Sequence, residues 1–352
     1  MLMVTMKDIA ERAKVSIATV SYVLNESGNV GEDTKKKVLE VIKELNYRPN
    51  LIAKSLKMKK TNTIGVIVED MTVFNAPNII DGINENAEKL GLSILLTNMR
   101  LEKRVSNNPN DPDLVKPIIK KIMDELVSKK VDGIIYVGLH PRDVTESIPE
   151  TDIPILFTYC YTTKQEHCAI NYNDEQAAYE ATNYFVSKGH KKIALISGHI
   201  DSMSSHSRYS GYYKSIKKHN LLFNPSYIKT GDWRFDSGYS LTKELLETKD
   251  LPTAILAMND QMAIGAIRAC NDLGYRVPDD ISIIGFDNRE FGAYYSPKLT
   301  TMSLPLRRMG LLAIETIYHL ISGSPTDCNK LKTTLSCELI ERDSVCPPTG
   351  LF

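Results

Sequence analysis

From Met6 to Asn25 the apolar positions recur at spacings of three and four in two short runs: Ile9, Ala10 and Ala13, then Val20, Val23 and Leu24. Each run predicts one face of a short helix. Thr5 is placed to cap the first, with Asp8 three residues on completing a capping box, and Ser16 to cap the second. Lys14 and Val15 make the turn between them, and a lysine in the left-handed conformation that such turns favour carries ~1–2 kcal/mol of strain. Ile17, Ala18, Ser21 and Tyr22 are left on the outer face of the second helix. The pair is either a helix-turn-helix, whose second helix is sized for the DNA major groove, or an ordinary helical hairpin in a core. A third stripe, Val38, Val41, Ile42 and Leu45, can cover both and close a three-helix core.

Beyond Ile64 the pattern changes. Short apolar runs at 64–68, 93–97, 133–137, 154–158, 193–197, 254–258 and 281–285 predict strands. Amphipathic stretches at 78–90, 114–129, 175–188, 208–220, 237–248, 260–273 and 308–321 lie between or after them. Alternating strand and helix predicts parallel sheets covered by helices on both faces. About 280 residues of this exceed one comfortable core, so two α/β subdomains are expected. Residues 50–57 read as a short helix, too short to be stable alone, followed by a basic, polar linker. Residues 101–116 are polar and rich in Asn and Pro, a surface-loop composition.

Charge divides the chain at the same place. The first 60 residues carry +5 and the remainder −5, since the whole chain sums to zero. A basic head on an acidic body suits a phosphate-binding module joined to a regulatory domain, which favours the DNA reading over the hairpin. Hydrophobic content of 42% and charged content of 24% are those of a soluble globular protein. With neither a signal-peptide pattern nor ~20 consecutive apolar residues, a cytoplasmic protein with no membrane partner is expected. The six cysteines lack CxxC spacing and the seven histidines lack paired ligand spacing, so neither a metal nor any other cofactor is expected. GxxxxGK[ST], GxSxG, HExxH and EF-hand motifs are missing, and the sequence does not fix the separation of Asp70 and Asp287 as a glycosidase pair would require. The expectation is therefore not an enzyme.

Several stretches resemble the LacI/GalR family of bacterial transcription regulators. They are K-D-I-A-E-R-A-x-V-S-x-x-T-V-S-x-V-L-N at 7–25, L-N-Y-R-P-N at 45–50, A-K-S-L at 53–56 and I-G-V-I-V at 64–68. K-G-H-K-K-I-A at 188–194, M-N-D-Q-M-A-I-G-A at 258–266 and I-S-I-I-G-F-D at 281–287 continue the likeness almost to the end. The resemblance implies an N-terminal all-α helix-turn-helix headpiece plus an α/β periplasmic-binding-protein-like core of two doubly wound parallel-sheet subdomains. Its implied divisions are a headpiece at 1–48, a hinge helix and linker at 49–62, an N-terminal core subdomain at 63–172 and 303–330, and a C-terminal core subdomain at 173–302 and 331–345. The chain would cross between lobes near 172, 302 and 325–334, with helix 308–321 returning to the first lobe.

The function implied is a ligand-responsive repressor of sugar-metabolism genes, bound as a homodimer to a pseudopalindromic double-stranded DNA operator. DNA contacts then fall to Thr5, Ser16, Ile17, Ala18, Thr19, Ser21, Tyr22 and Asn25 in the head, and to Tyr47 and Asn50 at its end. Ala53, Lys54 and Leu56 complete them in the hinge, where Leu56 wedges into the minor groove. A dimer is expected because tetrameric relatives add a C-terminal apolar heptad helix, whereas this chain ends in CPPTGLF. The alternatives are a sugar-binding protein of transport with no transcriptional role, a sugar-acting enzyme, and a regulator that answers to a purine-type corepressor.

Ligands in such folds sit at the carboxyl ends of the parallel strands, in the cleft between lobes. Those positions offer Asp70, Phe74 and Asn75, then Tyr159, Arg208, Trp233, Asn259 and Asp287. Aromatic slabs with a forked donor and carboxylates suit a sugar or glycoside effector, whose CH face stacks while its hydroxyls pair. By the resemblance, Arg208, Trp233, Asn259 and Asp287 fall on inducer-binding positions. Glu69, Phe74, Tyr159 and Leu304 differ from the lactose repressor, which leaves the identity of the ligand open. The plainer readings are a core aromatic for Trp233 and structural ion pairing for Arg208 and Asp287.

Overall fold

The structure is a computed structural model that describes residues 4–24, 27–47, 60–105, 108, 110–323 and 332–349. The expected hinge helix at 50–57 lies outside those residues, and so do Asn25, Asn50, Ala53, Lys54 and Leu56. The chain divides into two units, Met1–Thr61 and Asn62–Phe352.

The described residues of the first unit form three helices: α1 (Met6–Ala13), α2 (Ile17–Leu24) and α3 (Glu32–Glu44). Thr5 and Asp8 form the expected capping box, with the Thr5 N–H donating to Asp8 Oδ2 at 2.7 Å. Lys14 sits at φ 55° and ψ 47°, the left-handed conformation expected at the turn. Ser16 Oγ accepts from the Thr19 N–H at 3.0 Å and so caps α2. Ile9, Ala10, Ala13, Val20, Val23, Val38 and Val41 are buried together, which leaves Ile17 and Tyr22 each 50% exposed on α2.

The second unit begins with β1 (Thr63–Val68), α4 (Asn75–Lys89), β2 (Ser93–Asn98), α5 (Leu101–Arg104), α6 (Pro112–Ser128), β3 (Gly133–Val137), β4 (Ile155–Thr158) and β5 (Cys168–Tyr172). It continues through α7 (Asp174–Ser187), β6 (Ile193–Ser197), α8 (Met203–Lys218), β7 (Ile228–Thr230), α9 (Phe235–Leu246), β8 (Ala254–Ala257), α10 (Asp260–Asp272) and β9 (Ser282–Phe286). It ends with α11 (Glu290–Tyr294), β10 (Thr300–Ser303), α12 (Leu306–Ile321), β11 (Lys332–Leu335) and β12 (Glu338–Ile340). Two six-stranded sheets result, in the orders β11-β5-β4-β3-β1-β2 and β12-β10-β9-β8-β6-β7. Among the described residues every strand pairing is parallel except β10 with β12. The central strands β3, β4, β6, β8 and β9 are buried along their whole length, because helices cover both faces. Helix α12 returns to the first sheet and crosses α4 where Gly310 meets the Ile79 carbonyl; a Cβ at Gly310 would stand 2.0 Å from that oxygen.

Three expectations need correction. The stretch 331–345 was expected in the second lobe, but β11 pairs with β5 in the first sheet, and the third crossing falls between Leu335 and Glu338. Residues 101–116 are not simply a surface loop. Leu101 and Val105 are buried in the core of the first lobe, and Asp111 caps α6 by accepting from the Asp113 N–H at 3.0 Å. Arg208 does not start a helix: α8 begins at Met203, which places Arg208 in its second turn with its side chain turned inward.

Candidate functional site

The carboxyl ends of strands from both sheets converge on a cavity of about 670 Å³. Its first-lobe wall holds Phe74 and Asn75 beyond β1, the Leu139–Pro141 turn beyond β3, Tyr159 beyond β4 and Tyr172 at the end of β5. Its second-lobe wall holds His199 beyond β6, Arg208 on α8, Trp233 beyond β7, Asn259 and Gln261 at the start of α10, and Asp287 and Arg289 beyond β9. Seven of the eight expected effector residues therefore line one cavity, and Asp70 does not. Asp70 turns its carboxylate onto its own chain, where Oδ1 accepts from the Thr72 N–H at 2.9 Å and the Thr72 hydroxyl at 2.7 Å.

Backbone strain gathers in the same place. Tyr159, Trp233 and Asp287 have φ of 60°, 71° and 105°. A non-glycine residue held there costs about 1–3 kcal/mol and persists only where its surroundings over-determine it. Asn259 shows how Trp233 is held: its Oδ1 accepts from the Met262 N–H, capping α10, while Nδ2 donates to the Trp233 carbonyl, each at 2.8 Å. Gly198 supplies the floor. A Cβ there would lie 2.0 Å from Trp233 Cε2, so the indole rests directly on backbone.

The polar groups of the cavity are of two kinds, committed and open. Arg208 is committed: Nε donates to Asp174 Oδ1 at 2.5 Å, one terminal nitrogen to the Met258 carbonyl and the other to the Tyr172 hydroxyl at 3.3 Å. Its guanidinium carbon also lies 3.7 Å from the centroid of the Phe286 ring. Glu69, behind the wall and not in the cavity lining, is committed as well. Its carboxylate accepts both terminal nitrogens of Arg142 at 2.6 and 2.8 Å, the Tyr136 hydroxyl at 2.5 Å and the Leu139 N–H at 2.6 Å, which fixes the turn carrying His140. Burial, reinforced by the Arg142 charge, lowers His140 to about 4, so the imidazole is neutral at pH 7.

Asn75 and Asp287 are open. Asn75 Nδ2 donates to the Gly138 carbonyl at 3.2 Å, but its Oδ1 is buried with no hydrogen-bond partner. A buried acceptor left unpaired costs about 1–3 kcal/mol. The Asp287 carboxyl is pushed well above the usual carboxylate range by burial, against the opposing pull of Arg208.

Tyr172, His140, His199, Gln261 and Arg289 were missed in the sequence. Most lie within three positions of a strand end, so reading that far past every strand would have found them. Tyr172 was hidden because β5 itself was not foreseen.

In the head, Thr5, Ser16, Ile17, Ala18 and Tyr22 are exposed, while Thr19 and Ser21 are half-buried. The Ser16 and Thr19 hydroxyls bond each other at 2.9 Å. Tyr47 packs against the three-helix core.

Residues 5–50 match the profile of bacterial regulatory proteins, lacI family, and residues 182–345 that of a periplasmic binding protein-like domain. The chain is 35% identical over 322 residues to an HTH-type transcriptional repressor PurR of Histophilus somni, covering 91% of this chain and 93% of that protein. It is 33% identical over 326 residues to catabolite control protein A of Priestia megaterium, covering 92% and 94%. Among solved structures, a lac repressor dimer bound to operator and the anti-inducer ONPF superposes with a TM-score of 0.79 at 29% identity, over 98% of this chain and 100% of that one.

Proposed function

The chain belongs to the lacI family of bacterial regulatory proteins, as a DNA-binding transcriptional repressor and not an enzyme, and from that premise we propose that a sugar or glycoside in the two-lobed cleft controls its hold on DNA. The observation that carries this reading is the lining of the cavity, where the aromatic faces of Phe74, Tyr159 and Trp233 stand beside the polar side chains of Asn75, Asn259 and Asp287. Trp233, held flat on Gly198, offers a stacking plate on the second lobe, and Asp287 a polar partner. A ligand touching both lobes favours one lobe arrangement by its differential affinity, and that difference is what couples the cleft to the head.

On the DNA side, the exposed face of α2 does the reading. Ile17 and Ala18 carry no hydrogen-bonding side chain, so they suit thymine methyl groups, and Tyr22 supplies the polar contact. The second reading of the cleft is a purine-type corepressor, whose base would stack on the same aromatic walls. A thermal-shift screen of mono- and disaccharides beside purine bases and nucleosides separates the two, since a ligand at ~100 times its Kd adds ~2.7 kcal/mol of stability. A stabilising sugar that also changes operator affinity supports the proposal. Stabilisation by purines alone overturns it.

A further inference from the structure

Arg289 lines the cleft with a guanidinium whose charge is felt by the Asp260 and Asp287 carboxyls but whose N–H donors have no hydrogen-bond partner among the described residues. Its backbone N–H is fixed to Asp260 Oδ2 at 2.6 Å, so the residue's place beyond β9 is set by a buried carboxylate. Its guanidinium carbon lies 4.8 Å from the Phe74 ring centroid on the other lobe and 5.4 Å from that of Phe291. Among the described residues the guanidinium forms no hydrogen bond and no ion pair. Arg208, the other arginine lining the cavity, has one donor on each guanidinium nitrogen engaged, by Asp174, Met258 and Tyr172, and its charge is paired with Asp174. His140 is neutral, lowered to about 4, and so adds no charge.

Two aromatic faces attract a cation but satisfy none of its N–H donors. As a ligand fills the cleft and displaces water, an unmatched guanidinium becomes costly, and neutral hydroxyls leave its charge uncompensated. The planar fork is matched by two oxygens of one oxyanion, in a charge-assisted bidentate pair. Three acids also line the cavity. Glu102 and Asp201 are exposed at its edge, where water and salt screen them. Asp287 feels the Arg289 charge but forms no ion pair with it, and burial pushes it well above the usual carboxylate range.

We propose that the effector is an acidic sugar, a hydroxylated ring bearing a carboxylate or phosphate, and that Arg289 selects it by pairing that group while Asn75 and Trp233 hold the ring. This rests on the reading of the cleft as a sugar site.

The test is calorimetry on the intact protein with matched sets: glucose, glucuronate and glucose 6-phosphate, then galactose, galacturonate and galactose 6-phosphate. The parent is expected to bind an acidic member at least tenfold more tightly than its neutral partner, and the carboxylate and phosphate arms show which oxyanion is meant. Arg289→Gln, checked for an unchanged melting temperature, should bring the acidic and neutral members within twofold of each other. A neutral sugar bound as tightly as its acidic partners overturns the role of Arg289 and leaves the sugar cleft standing. So does a preference for acid that survives Arg289→Gln. No binding by any member, neutral or acidic, overturns the proposal, and the thermal-shift screen with disaccharides then decides the sugar reading by itself.

Discussion

Arg208 and Asp174 form an ion pair inside the second lobe, Nε to Oδ1 at 2.5 Å, with side chains only 4% and 7% exposed. The pair ties α8 to α7 directly behind the cleft wall. Three of the five guanidinium N–H donors are engaged within the protein, so Arg208 braces the wall as well as lining the cavity.

Arg208→Ala is therefore expected to cost stability before anything else. It strands the Asp174 carboxylate in the interior, and breaking a buried pair from one side typically costs about 3–5 kcal/mol. Arg208→Met combined with Asp174→Asn removes both charges and should recover much of that loss. Urea unfolding of the two variants decides it, and equal losses would show that the pair itself contributes little.

Trp233 is the chain's one tryptophan and stands in the cavity wall, so its emission should report directly on ligand binding. Gly198→Ala puts a methyl group where the indole lies and must displace the ring. Effector affinity should fall at least tenfold, or ~1.4 kcal/mol, while the melting temperature stays close to that of the parent. Fluorescence titration measures both proteins. An unchanged affinity would mean that the indole does not touch the ligand.

Much of the architecture was legible because short apolar runs alternate with amphipathic helical stretches, the pattern of buried parallel strands. The turns after β1, β4, β8 and β9 accordingly yielded Phe74, Asn75, Tyr159, Asn259 and Asp287 as cavity residues. What escaped was short or polar. β10, β11 and β12 are three or four residues each, threonine-rich or half-exposed, and their pairing comes from neighbours far along the chain. β5 is apolar enough, but its assignment depends on lying between β4 and β11. The roles inside the site were harder still. The same sequence signal marked Arg208, which is committed, and Asn75, which is open, and only the hydrogen-bond partners tell them apart.

Lys14 holds the local backbone strain of the turn between α1 and α2. At φ 55° it occupies a conformation that glycine adopts without a Cβ clash. Lys14→Gly should stabilise the folded head by about 1 kcal/mol, part of the gain being offset by the flexibility glycine adds to the unfolded chain. Thermal unfolding followed by helix content would measure it. A loss of stability would show that the lysine side chain makes up for its backbone.

Asp260 gives the body a pH dependence. Burial raises its carboxyl to about 7, although the Thr301 hydroxyl, the Arg289 N–H and the charges of Arg342 and Arg289 all pull it down. Because the folded value lies above the ordinary 3.8, the contribution is fully present below that value and is lost as pH rises through about 7. Stability should fall between about pH 4 and pH 8, and Asp260→Asn should flatten that part of the curve. Denaturation midpoints across that range decide the point, and parallel curves for parent and variant would refute it.

The central claim is that occupancy of the cleft governs the grip of the head on DNA. The direct measurement is operator affinity, on a two-fold symmetric site selected from random DNA, titrated with the ligand found by thermal shift for the parent and for Trp233→Ala. The account predicts equal affinities without ligand, a parent that responds, and a variant needing at least tenfold more ligand for the same response. Identical responses from the two proteins, or an operator affinity that ignores the ligand in both, would contradict it.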